Sequence, residues 1–162
     1  MVGVVPNAAY RHFADRDALL AAVRDAALDQ LAQRMAEGMS RVRAGRHTPT
    51  GARLRLRAVG RAYLEFARAE PGLFDTAFTA TEHPPVAMDG EPRPFKHLEA
   101  ALDDLVAAGG LDPGRRPDIA FPTWAIVHGL AVLFRGPLRP LSDREKTRLE
   151  GQALAFIEAS MS

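Results

Sequence analysis

The sequence predicts an all-α fold, and three observations carry that prediction. Apolar residues recur at three-to-four spacing through every long segment, which is the pattern of one helix face. Proline and glycine fall mostly between those segments, where they punctuate. No alternating strand pattern survives a longer window, and no internal repeat is visible.

The elements follow in order. A short helix opens at Pro6, whose fixed φ suits a first turn, and ends near Phe13. Asp15 is a good N-cap for a long helix running to about Val42, with Asp17 in its first turn. Leu19, Leu20, Val23, Leu28, Leu31, Met35 and Met39 supply its apolar face. Gly45 and the stretch Thr48-Pro49-Thr50-Gly51 are expected to end it. The alternating run Arg53 to Arg57 resembles a strand in a narrow window, but Leu56, Val59, Tyr63 and Phe66 follow helical spacing. Pro71 opens a short helix carrying Leu73, Phe74 and Phe78. Four prolines and a glycine between Thr81 and Pro94 read as a loop, long for a compact domain. The next helix carries Phe95, Leu98, Leu102, Leu105 and Val106 and stops at Gly109-Gly110. Asp112-Pro113 looks like a cap with an N1 proline. The apolar stretch from Ile119 to Leu133 contains Pro122, so its helix either kinks there or starts there. Gly136-Pro137 terminates it. Ser142 with Glu145 is a capping box for the last helix.

Composition excludes several classes. The chain has 162 residues, of which 47% are hydrophobic and 25% charged, enough for a real core and ordinary for a globular protein. Cysteine is absent, which removes disulfides, thiol nucleophiles and cysteine zinc sites. The net charge of +1 argues against a polycation that coats nucleic acid. No uninterrupted apolar run approaches the roughly 20 residues of a membrane helix, and no secretion signal is visible, so a cytoplasmic protein without a membrane partner is expected. Nearly all basic residues are arginine, only Lys96 and Lys146 being lysine, which codon bias in a GC-rich genome explains. The arginines from Arg41 to Arg61 are expected on polar helix faces and in a loop, as solvated surface.

Residues 3 to 20 read Gly-Val-Val-Pro-Asn-Ala-Ala-Tyr-Arg-His-Phe-Ala-Asp-Arg-Asp-Ala-Leu-Leu. This segment resembles the turn, recognition helix and following helix of TetR-family repressors, with Tyr10, His12, Phe13, Leu19 and Leu20 on the family spacing. Arg16 departs from the family's usual lysine, a change between two cations. The chemistry supports DNA contact independently. A helix N-terminus at Pro6 welcomes negative charge. Asn7 suits an adenine edge, and the small Ala8 and Ala9 permit close approach. Tyr10, Arg11, His12 and Arg16 are candidate phosphate contacts that position the helix without reading sequence. The resemblance implies a ligand-responsive regulator, a repressor, that pairs as a homodimer and binds an operator. In the family two helices precede this turn and hold the recognition helix. Here only Met1 and Val2 precede Gly3, so the expectation is a misassigned start or a truncation, with weak or no operator binding until those helices are restored. The expected division is residues 1–44, a partial helix-turn-helix region with its connecting helix, and residues 45–162, a ligand-binding and dimerisation domain.

Trp124 to Gly129 resembles the Trp-x-x-x-His-Gly pattern of one TetR subgroup. Trp124 and His128 stand four apart and share a face. Gly129 costs a helix about 1 kcal/mol relative to alanine and is tolerated where another backbone packs closely. The resemblance implies dimerisation through residues 117–136 and 142–160. A sensing pocket is expected from Phe66, Phe74, Phe78, Phe95, Leu102, Trp124 and His128, fit for a small apolar effector, with Phe74, Phe78 and the loop at 82–94 on the entry side. A dry core built from the same residues is the rival. No metal or cofactor is implied. Asp103 and Asp104 are adjacent, so a helix points them apart and they make no catalytic dyad; with no phosphate loop or nucleophile elbow, an enzyme is not expected. The alternative function is a helical small-molecule-binding dimer that has lost DNA binding.

Overall fold

The computed structural model describes residues 16–45, 47–78 and 93–161. Among the described residues every regular element is helical: α1 (Arg16–Ser40), α2 (Pro49–Ala69), α3 (Pro71–Phe78), α4 (Arg93–Ala107), a 3-10 turn (Pro113–Arg115), α5 (Arg116–Arg135) and α6 (Asp143–Ser160). The groove-reading segment expected at Pro6 to Phe13 lies outside the described residues, as does Asp15.

α2 is the hub, touching all five other helices. The face read from sequence, Leu56, Val59, Tyr63 and Phe66, is buried throughout. Ala62, Leu64 and Ala67 are buried as well, so neighbours enclose the helix on more than one side. α1 packs against α2, α3 and α4 through Ala27, Leu28, Leu31, Ala32 and Met35. The main core joins Leu31 and Met35 to α2, to Leu98, Ala101, Leu102 and Leu105 of α4, and to Val127, Ala131, Leu154 and Ile157 of the last two helices.

One boundary differs from expectation. Thr48-Pro49-Thr50-Gly51 does not close a helix but opens α2: the Thr48 hydroxyl accepts from the Gly51 N–H at 3.1 Å, and Pro49 takes the first helical position, where a missing N–H costs nothing. Gly51 is required there, because a Cβ would overlap the carbonyl oxygen of Gly45. Pro122 neither starts α5 nor ends it. The helix begins six residues earlier at Arg116 and runs through it, close enough to the N-terminus that only an early backbone bond is lost. Other signals hold. α4 ends in a Schellman motif, with Gly109 at φ +72° and the Gly110 N–H bonded to the Leu105 carbonyl at 2.9 Å. The Ser142–Glu145 capping box opens α6, the Ser142 N–H donating to Oε2 at 2.8 Å.

Arg41, Arg43 and Arg61 are exposed as expected, but Arg53, Arg55 and Arg57 of α2 are not solvated surface. Arg55 donates to Asp104 Oδ2 at 3.2 Å and to the Met39 carbonyl at 3.1 Å, with both charged side chains largely buried (12% and 16% exposed). Arg57 donates to Glu158 and Arg53 to the Gly110 carbonyl. Together they tie α2 to α1, α4 and α6. Asp103 turns to Arg116 instead, at 2.7 Å, so the adjacent aspartates do point apart.

Candidate ligand-binding site

Four helices bring aromatic rings to one place. α2 contributes Tyr63, α3 Phe74 and Phe78 one turn apart, α4 Phe95, and α5 Trp124 and His128. Tyr63 is the centre, only 1% exposed, with ring centroids 5.0 Å from Trp124, 5.8 Å from Phe74, 6.0 Å from Phe78 and 6.3 Å from His128. Edge-to-face approaches dominate, which lets positive ring edges meet negative faces. Phe95 meets Trp124 edge-on at 5.6 Å. The expected shared face of Trp124 and His128 is realised as two nearly parallel rings, 6° apart in plane.

A polar contact sits inside this apolar cluster. The Tyr63 hydroxyl and His128 Nδ1 are 2.8 Å apart. Burial pushes the Tyr63 phenol well above its usual range, so it keeps its proton. Burial also lowers the His128 pKa, which favours the neutral ring, one nitrogen of which can accept. The pair satisfies two groups that would otherwise be costly to bury.

Two spaces adjoin the cluster. An interior cavity of about 20 Å³ is lined by Leu56, Val59, Tyr63, Trp124, Val127 and Leu154 among others. That is about the room one water or methyl group takes, so the interior is close to solid in this conformation. An open cleft of about 200 Å³ lies on the α3–α5 side, lined by Phe74, Asp75, Phe78, His128, Val132 and Arg135. Arg135 grips Asp75 with both Nε, at 2.9 Å, and an Nη, and each partner's pKa moves to favour its charged form, chiefly through that hydrogen bonding.

Of the residues expected in a pocket, Phe74, Phe78, Phe95, Trp124 and His128 come together. Phe66 and Leu102 are buried in the main core, as Phe74 is, but line neither space. Sequence reading placed Tyr63 on a buried face without assigning it to the site; its hydroxyl on that face was the available signal. Asp75 and Arg135, 60 residues apart, carried no such signal. Arg16 is the first residue of α1 and is exposed. Pro6, Asn7, Ala8, Tyr10, Arg11 and His12 lie outside the described residues. Among the described residues no group of three histidine or acidic side chains could hold a metal ion.

With this geometry in hand, comparison with known proteins places the chain. The family model described as "Tetracyclin repressor-like, C-terminal domain" matches residues 56–149, more than half of the sequence. The chain belongs to the TetR family. The matched region contains every ring of the cluster, together with α3, α4, α5 and the start of α6. The TetR-like domain points to a family of regulators rather than enzymes. A solved structure of a protein with unknown function from Rhodococcus sp. RHA1 shares the fold with a TM-score of 0.76 at 23% identity. That likeness covers 98% of this chain and 79% of the other. No curated protein matches.

Proposed function

We propose that this TetR-family chain is a ligand-responsive transcription regulator, acting as a repressor in the cytoplasm, whose aromatic cluster senses a small apolar effector. Residues 1–44 form its DNA-binding region and connecting helix, and residues 45–162 its ligand-binding and dimerisation domain. Operator contacts are assigned to Pro6, Asn7, Ala8, Tyr10, Arg11, His12 and Arg16, and effector contacts to Phe74, Phe78, Phe95, Trp124 and His128.

The observation that carries the reading is the double role of Phe78. One side of its ring meets His128 at 4.8 Å. The same residue packs on a second apolar cluster of Ala27 and Leu28 from α1 with Ala77. Anything that displaces Phe78 therefore bears on α1, the helix that follows the recognition segment. A ligand with different affinity for two settings of α3 would shift the population of α1 positions by that difference.

Dimerisation through residues 117–136 and 142–160 is supported by what the last two helices leave outside. Phe121 is 68% exposed and Phe156 65%, and Leu133 of α5 is exposed too. Segment Pro113–Arg135 is apolar enough, by length and composition, to cross a membrane, with mean hydropathy 1.3. A second copy covering its outer face accounts for that apolarity in a family of soluble regulators. Among the described residues nothing beyond its own stretch of helix comes within 4 Å of a Cβ placed on Gly129, which leaves that side for a close helix partner. The test is mass in solution by light scattering at micromolar concentration. The wild-type chain is expected at the mass of two copies. Phe121→Glu with Phe156→Glu is expected at one, since two-fold symmetry places each new carboxylate in the interface twice. A wild-type monomer defeats the dimer assignment.

A further inference from the structure

The open cleft beside the cluster allows the effector class to be narrowed, on the reading that the cluster is the effector site. We propose that His128 is the recognition donor of this cleft, and that its ligand is a neutral apolar molecule bearing one hydrogen-bond acceptor, such as a ketone, ester or lactone carbonyl.

The argument starts at the Tyr63 hydroxyl. It is buried and lies 2.8 Å from Nδ1, which among the described residues is its hydrogen-bond partner; a proton on Nδ1 would leave the phenol proton without an acceptor, so the geometry favours Nδ1 as the acceptor. The proton of the neutral imidazole is then on Nε2, and the tautomer is fixed by a neighbour rather than left to exchange. His128 lines the cleft, and the hydrogen-bonding group it has left to offer an occupant is the Nε2–H, a donor. Phe74, Phe78 and Val132 make the walls apolar. The charges at the rim cancel, because Asp75 and Arg135 hold each other in a two-pronged pair. A carboxylate ligand would add a charge that nothing in the cleft offsets, or would have to displace Asp75 from Arg135. A cation would face the same paired Asp75. A neutral acceptor meets the donor without disturbing either.

Three probes of similar shape test this: acetophenone, cumene and benzoate, titrated into the ¹⁵N-labelled protein while the imidazole nitrogens of His128 are observed. The free protein is expected to show a protonated Nε2 and a bare Nδ1. Acetophenone is expected to bind roughly three- to tenfold more tightly than cumene, the worth of one neutral hydrogen bond, and more tightly than benzoate. In His128→Phe that preference is expected to vanish while cumene affinity persists; Tyr63→Phe, which keeps the ring, is expected to weaken it. An Nδ1-protonated ring, benzoate as the tightest probe, or a preference that survives His128→Phe overturns the proposal. Cumene equalling acetophenone removes the donor role but leaves an effector site; failure of all three to perturb the cluster removes both. If His128→Phe does not fold, the tautomer and the wild-type affinities decide.

Discussion

Replacing Tyr63 by phenylalanine deletes one oxygen from the centre of the cluster and separates its hydrogen bond from its packing. The ring is almost fully buried and meets Phe74, Phe78, Trp124 and His128, contacts that Tyr63→Phe retains. What is lost is the 2.8 Å bond to His128 Nδ1. A neutral bond of this kind contributes about 1 kcal/mol net. Tyr63→Ala also removes the ring, and by analogy with buried Phe→Ala changes it should cost about 3–5 kcal/mol. The expected order is therefore wild type, then Tyr63→Phe at about 1 kcal/mol below it, then Tyr63→Ala several times lower. Urea unfolding at a fixed protein concentration measures this. The sole tryptophan, Trp124, has its ring 5.0 Å from Tyr63 and reports on the site itself. A double-mutant cycle with His128→Phe isolates the pair, with a coupling of about 1 kcal/mol expected. Strict additivity of Tyr63→Phe and His128→Phe would refute the claim that the two side chains share a bond.

Further outcomes are expected. Burial lowers the His128 pKa, so the unfolded chain takes up a proton near pH 6.5 while the folded chain resists. Stability is then complete above that value and falls as pH drops through it toward the lowered folded pKa; thermal melts from pH 7 downward should show the fall, and His128→Phe should make it shallower. His97, also lowered by burial, contributes the residual slope, and an unchanged slope in His128→Phe contradicts the assignment. Asp104→Ala leaves the Arg55 guanidinium in a largely buried place without its carboxylate and should cost about 3 kcal/mol in urea unfolding; a loss within about 0.5 kcal/mol, the range of ordinary surface changes, would mean the pair is surface decoration. Gly51→Ala should destabilise far more than Gly72→Ala in thermal melts, because of the two only the first Cβ meets a backbone carbonyl.

What the sequence made legible was set by short-range rules. Helix faces follow from periodicity, and Leu56, Val59, Tyr63 and Phe66 are buried as that rule requires. The Ser142 capping box and the Gly109 terminus depend on residues three or four apart, and both appear in place. Thr48-Pro49 misled because the same residues stop one helix and cap the next, and composition does not say which. Periodicity gives a face but not a depth. Phe66 and Leu102 therefore read like Phe74 and Trp124, although only the last two line a space beside the cluster. Pairings across helices were out of reach. Tyr63 and His128 are 65 residues apart and Arg57 and Glu158 are 101 apart, so their partners are chosen by how α2 threads between its neighbours.

The account turns on ligand in the aromatic cluster moving α1 relative to its copy. The chain has no cysteine, so Ala21→Cys on the exposed side of α1 gives one spin label per subunit. The distance between the two labels, measured by pulsed electron spin resonance without and with saturating acetophenone, reads the motion directly. A single defined distance that shifts on saturation is the predicted result. An unchanged distribution in a protein whose His128 signals show full occupancy would contradict the coupling through Phe78.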